Sequence, residues 1–162
     1  MIILIYYMTI SNFELADLAN SYNVKLSLYD ITPKNLLVNY KIRKFMNLII
    51  NFAKDGQEGT HFVSLIIRCD KAFYFDSFGG YPLDEVVNYC KKHNLKLGYN
   101  TYIIQNIKST NCGIFCFALI KYLGKSGDIY KKSDEYINLY DNNTSLNDDI
   151  LFKYLKNCGV DV

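Results

Sequence analysis

Cys112 opens the stretch Asn111-Cys112-Gly113-Ile114-Phe115-Cys116 and is the side chain in this sequence best placed to act as a nucleophile. From Ile114 to Leu123 only Lys121 is charged. A segment that is apolar nearly all round reads as a buried central helix. Ser109, Thr110 and Asn111, just before it, are N-cap residue types. A helix N-terminus carries partial positive charge and unpaired N–H groups. Both favour thiolate over thiol, so a cysteine there can attack a carbonyl near neutral pH. Such a cysteine needs a base, and the chain has two histidines, His61 and His93. His93 follows two lysines in a polar segment and reads as a surface residue.

His61 to Arg68 and Phe73 to Asp76 read as two strands of a tight antiparallel hairpin. A turn at Cys69-Asp70 sets Asp76 opposite Val63 and makes His61 its diagonal neighbour on one face, because side chains alternate along a strand. A turn at Arg68-Cys69 sets His61 and Asp76 directly opposite. Either register brings them within roughly 5–8 Å at Cβ. A carboxylate there fixes the imidazole tautomer and stabilises its cation, leaving the other ring nitrogen for a thiol. Gln105, seven residues before Cys112, can point its amide at the same centre as the Cys112 N–H. Two such donors form an oxyanion hole, worth ~3–4 kcal/mol of barrier each by analogy with a serine protease. Each residue has a plainer reading by itself: a small buried hydrophobe, a strand-end histidine, a turn-forming aspartate. Their joint occurrence gives the chemical reading its weight.

The elements that must position these residues follow from periodicity and turn chemistry. Ser11-Asn12-Phe13-Glu14 is a capping box opening a short helix to about Ser21. Val24 to Leu28 alternates like a strand, and Asp30 to Pro33 reads as a turn. Tyr40 to Phe52 is apolar and reads as strand or helix. Gly56 to Thr60 is a loop, and Ser77 to Pro82 a Gly-rich turn. Leu83 to Lys92 has helical spacing, Leu95 to Gln105 looks like a strand, and a polar stretch follows the Cys112 helix. Leu146 to Leu155 is a last amphipathic helix. The expected class is α+β in one domain spanning residues 1–162, with a mixed central β-sheet flanked by helices.

Composition narrows the function. At 162 residues, 50% hydrophobic and 15% aromatic, the chain can bury a sizeable core. A net charge of +2 does not call for a nucleic-acid or membrane partner. Five cysteines without a CxxC pair fit free thiols in a reducing compartment. Two histidines and scattered cysteines form no metal-ligand cluster. No stretch has the ~20 apolar residues of a membrane span. Met1 to Tyr7 is a poor signal peptide and reads as a short strand or as an extension before a start at Met8.

Four blocks in order resemble the adenovirus endopeptidase (adenain) group of cysteine proteases and, more distantly, SUMO-deconjugating peptidases. Gly59-Thr60-His61-Phe62-Val63 is similar to the group's Gly-x-His-Trp block, with Phe62 in place of Trp. Phe73-Tyr74-Phe75-Asp76-Ser77-Phe78-Gly79 is similar to its aromatic-acid-x-Phe-Gly block, with Asp where adenovirus enzymes carry Glu. Gln105 and Cys112 keep its Gln-to-Cys spacing, and Cys112 to Cys116 is nearly its nucleophile motif. The resemblance runs from about Thr9 to Leu155 and looks most like the maturation proteases of virophages, Polinton-type elements and large DNA viruses.

The resemblance implies a Cys112–His61–Asp76 triad with Gln105 in the oxyanion hole. It implies cleavage of viral capsid precursor proteins, often at glycine-containing sites, within the virion and the host-cell virus factory. A monomer needing no cofactor is expected. The adenovirus enzyme takes a disulfide-linked peptide and DNA as activators. Leu95 to Ile104 holds no cysteine to anchor such a peptide, so basal activity without it is expected, and a non-covalent peptide or DNA activator stays open. Two other functions compete: a deconjugase of a ubiquitin-like protein, and an inactive binding module that keeps the fold.

Overall fold

The computed structural model describes residues 30–53 and 61–160. The capping box at Ser11, the Val24 to Leu28 strand and the Gly56 to Thr60 loop lie outside the described residues. Five strands form one mixed sheet in sequential order: β1 (Asp30–Pro33), β2 (Phe45–Asn51), β3 (Phe62–Arg68), β4 (Lys71–Phe75) and β5 (Lys96–Tyr99). The two outer pairs, β1–β2 and β4–β5, are parallel, and the central pairs β2–β3 and β3–β4 are antiparallel. Four α-helices complete the described fold: α1 (Asp84–Lys92), α2 (Cys112–Leu123), α3 (Ile129–Ile137) and α4 (Asn147–Asn157). The class is α+β, as the sequence leads one to expect.

Both faces of the sheet are covered, which is why β2 and β3 read as nearly unbroken apolar runs. Alternation still sorts their side chains. Ile49, Phe62, Ile66, Phe73 and Phe75 face a cluster built with α2, α3 and α4. Leu48, Ile50, Val63, Leu65, Ile67 and Tyr74 face a second cluster closed by Leu37, Val86, Tyr89 and Cys90. Ten of the twelve residues of α2 are buried, so the apolar helix is the central one. The hydroxyl of fully buried Tyr136 on α3 donates to the Phe115 carbonyl at 2.9 Å, which fixes α3 against α2.

Several elements depart from the sequence reading. Asp30 to Pro33 is a strand, the outermost among the described residues, and not a turn; Pro33 sits at its end, where a missing N–H is tolerated. The apolar run from Tyr40 resolves into a strand that starts only at Phe45. β5 stops at Tyr99, and residues 101–110 form no regular element. The polar stretch after α2 holds α3, capped by the Asp128 carboxylate, which accepts from the Tyr130 and Lys131 N–H groups.

Candidate active site

The hairpin register places the first two residues. Arg68 pairs with Lys71 and Ser64 with Phe75, so the turn is Cys69-Asp70, with Cys69 in the left-handed region at φ 56°. One step further along the ladder sets Val63 opposite Asp76 and His61 diagonal to it. The side chains meet there: His61 Nε2 lies 2.8 Å from Asp76 Oδ1. A carboxylate only accepts, so Nε2 carries the proton and Nδ1 is left for Cys112, which lies near enough to the imidazole to raise its pKa. Phe52 and Phe78 flank the imidazole at ring-centroid distances of 4.9 and 5.2 Å.

Asp76 is held from several sides. Its Oδ1 also accepts the Phe78 N–H at 2.8 Å. Buried Asn100, just beyond β5, accepts the Asp76 N–H at 3.0 Å and donates to the Asp76 carbonyl at 2.7 Å. A β-carbon on Gly80 would come within 2.6 Å of Asp76 Oδ2. At Gly79, φ is 66° and a β-carbon would strike the Thr101 carbonyl at 2.6 Å. The Gly-Gly pair therefore lets the loop after β4 close onto both the carboxylate and the segment that leads to Gln105.

Cys112 is the first residue of α2 and is 5% exposed. Its Sγ accepts the Phe62 N–H at 3.4 Å, and one turn later Cys116 Sγ donates to the Phe62 carbonyl at 3.6 Å. The two thiols thus hold the backbone N–H and C=O of Phe62, the residue after His61, and set the helix start against β3. Burial pushes the Cys116 thiol well up, so it stays protonated and serves packing. The N-cap expectation needs correcting: the Asn111 side chain caps nothing and instead donates to Asp148 Oδ2 at 3.1 Å. Phe62, at the position of the group's Trp, points into the α2 core at 2% exposure; Phe52 and Phe78 are the rings against the imidazole.

Gln105 is buried, and its orientation follows from its partners. Ser77 Oγ–H donates to Oε1 at 2.5 Å, and Nε2 donates to the Ser109 carbonyl at 2.8 Å. A flipped amide would set its oxygen against that carbonyl, so the nitrogen faces Ser109. Nε2 carries two hydrogens; the Ser109 carbonyl takes one, and the Ser109 hydroxyl oxygen lies 3.5 Å from the same nitrogen. The Gln105 backbone N–H bonds to the Ser77 carbonyl at 3.0 Å, which ties this segment to the loop after Asp76.

The electrostatics of His61 have a definite sign. Burial pushes its pKa down, but the hydrogen bond to Asp76, the neighbouring Cys112 and the charges of both outweigh this and raise it to about 9. The folded state then binds a proton more tightly than the unfolded chain, whose histidine titrates near 6.5. The resulting stabilisation is complete below about pH 6.5 and is lost as pH rises through about 9. Thermal stability of wild type should therefore fall as pH rises across this window, and the His61→Ala variant should show a flatter profile. Parallel profiles would show that His61 is not held as a cation.

The sequence reading missed Ser77, Asn100, Ser109 and Asp148, the polar residues that hold these groups. Asn100 in an otherwise strand-like stretch was the available signal, since a polar residue next to buried strands needs a partner. His93, read as a surface residue, is half-buried with its ring 4.6 Å from Tyr89. Among the described residues no group of three or more His, Cys, Asp or Glu is arranged to hold a metal.

No protein-family model matches the chain, and no curated protein matches it by sequence. Solved structures do. The ASFV pS273R protease superposes with a TM-score of 0.61 at 14% identity, over 90% of this chain and 65% of the protease. The chain therefore spans about two thirds of that protein's length. ChlaDub1 from Chlamydia trachomatis superposes at 0.49 with 12% identity, over 93% of this chain and 78% of that one. A de-sumoylating protease does so at 0.41 with 14% identity, over 90% and 71%. At these identities the likeness is one of fold: the described residues share the fold of the ASFV pS273R protease.

Proposed function

We propose that this chain is a cysteine endopeptidase that processes viral capsid or other virion precursor proteins, at glycine-containing sites. The observation that carries this is the meeting of His61, Asp76 and Cys112 at the start of a buried helix, within a fold shared with a viral protease. The Cys112 proton resides on His61 Nδ1, which leaves a thiolate beside an imidazolium, and the thiolate Sγ attacks the scissile carbonyl. Negative charge on the carbonyl oxygen is received by the Cys112 N–H and the second Gln105 Nε2 hydrogen. His61 then protonates the leaving amine, and an acyl-thioester remains on Cys112. A water molecule, deprotonated by His61, hydrolyses it and restores the thiolate. Asp76 keeps the proton on Nε2 throughout and stabilises the imidazolium.

Tyr102, Ile103 and Ile107 are exposed on either side of Gln105 and offer apolar surface to a bound polypeptide. The place of action is the virion and the virus factory, and the enzyme works as a monomer without a disulfide-linked activator. Cys90, the nearest cysteine to β5 in sequence, supports the last point: it is buried and its thiol is pushed up to about 11. No helix among the described residues is long and apolar enough to cross a membrane.

The testing experiment compares turnover of Gly-x-Gly fluorogenic peptides with that of ubiquitin-like C-terminal fluorogenic substrates, in reductant and without added peptide. Faster turnover of the glycine peptides is expected. Preference for a ubiquitin-like substrate would replace the endopeptidase reading with deconjugation. No turnover of either would leave an inactive binding module.

A further inference from the structure

The segment from Ile104 to Asn111 contains Gln105 and ends at Cys112, yet it forms no regular element. It is held by side chains from the start of α4 and the turn before it. Asn147, fully buried, donates to the Ile104 carbonyl at 2.8 Å. Asn106 donates to Thr144 Oγ1 at 3.2 Å. Asp148 holds the far end with both carboxylate oxygens: Oδ1 accepts the Ser109 hydroxyl at 2.9 Å, and Oδ2 accepts the Asn111 amide at 3.1 Å.

Each of these two partners leads to one oxyanion donor. The Ser109 carbonyl takes the Gln105 amide at 2.8 Å, and so fixes where the second Nε2 hydrogen points. The Ser109 hydroxyl, with its proton on Asp148, accepts the Asn111 N–H at 3.3 Å. Asn111 shares its peptide group with the Cys112 N–H, so holding Asn111 at both its backbone and its amide aims that N–H. A single carboxylate thus sets both donors from an element over forty positions downstream of Gln105.

We infer that Asp148 is a positioning residue that aims the two oxyanion donors at one point; the inference rests on the peptidase reading above. A shift of about 1 Å in such donors costs about 100-fold. Asp148→Ala should therefore lower kcat about 10- to 100-fold with KM little changed, less than the loss of about 100- to 1000-fold expected when Gln105→Ala removes a donor outright. Asp148→Asn keeps one acceptor for Ser109 and should fall between wild type and Asp148→Ala. Asp149→Ala removes the neighbouring exposed carboxylate from the same helical turn and should match wild type.

Two probes separate aiming from general loosening. A peptide aldehyde ending in glycinal forms a tetrahedral adduct with a negative oxygen, so its inhibition constant should rise by about the factor that kcat falls. Iodoacetamide alkylates Cys112 by displacing iodide and forms no oxyanion, so its rate and pH profile should stay within about twofold of wild type. An Asp148→Ala variant with unchanged kcat, or one whose alkylation falls as far as its turnover, overturns the inference alone. A wild-type protein that neither turns over peptide nor binds the aldehyde overturns the peptidase reading, and this inference falls with it.

Discussion

Replacing Cys112 with Ala is expected to lower peptide hydrolysis by about 10^4-fold or more, as loss of a triad nucleophile does elsewhere, while the protein stays folded. Sγ is the only atom in the site that can form the thioester, and neither Gln105 nor His61 can stand in for it. The structural cost is small by comparison. The Phe62 N–H loses an acceptor at 3.4 Å, a net cost of about 1 kcal/mol, because a thiol is a weak acceptor. Cys112→Ser separates the two effects further. Its hydroxyl can still accept from Phe62, so stability should match wild type, yet a serine hydroxyl beside this imidazole ionises far less readily than a thiol. Hydrolysis rates and thermal unfolding of both variants check this. Retained activity in Cys112→Ala would remove the mechanism altogether.

The second large effect is at His61, and its comparison with Asp76 is informative. His61→Ala removes the only group that moves protons and should cost as much as Cys112→Ala. Asp76→Asn should cost less, about 100- to 1000-fold, below the ~10^4-fold seen when the same change inverts the tautomer in a serine protease. The reason is local. Asp76 Oδ1 receives both the His61 Nε2–H and the Phe78 N–H. An asparagine keeping its oxygen there still accepts both and holds the tautomer, and what it loses is the charge that stabilises the imidazolium. The alkaline limb of the pH–rate profile, where the imidazolium loses its proton, should move down when that charge is lost. Equal, complete loss of activity in a folded Asp76→Asn variant would give Asp76 more than a supporting role.

Much of this site could be read from the sequence because its chemistry sits on regular elements. The apolar run after Cys112 leaves little choice but a buried helix, and ten buried positions agree with it. The hairpin turn at Cys69-Asp70 was one of two registers that periodicity allowed, and either one brought His61 near Asp76. The reading failed where side chains, not periodicity, hold the backbone. Leu95 to Gln105 alternates like a strand, but pairing ends at Tyr99, and Asn100 turns to the Asp76 backbone instead of a ladder. Asp30 to Pro33 carries turn residues, yet its parallel register with Leu48 to Asn51 makes it a strand, a long-range pairing that no local pattern shows. In α3, Ile129, Ser133, Tyr136 and Ile137 share the buried face, but the charges between them masked that spacing. Asp148 was invisible for a similar reason: an acidic residue in the first turn of a helix is ordinary, and its partners become apparent only once α4 meets the Gln105 segment.

The central claim is that Cys112 is reactive because of its surroundings and not because it is accessible, and thiol mapping tests this most directly. Cys69 and Cys158 are exposed, whereas Cys112 is only 5% exposed. Cys90 and Cys116 are buried, and burial holds both thiols protonated. The protein is treated with one equivalent of a glycine-terminated peptide vinyl sulfone, and the labelled cysteine is identified by mass spectrometry. The account predicts a single adduct on Cys112, formed before any on Cys69 or Cys158 and absent from the His61→Ala variant. Labelling led by Cys69 or Cys158, or an adduct on Cys112 that forms equally fast without His61, would contradict it.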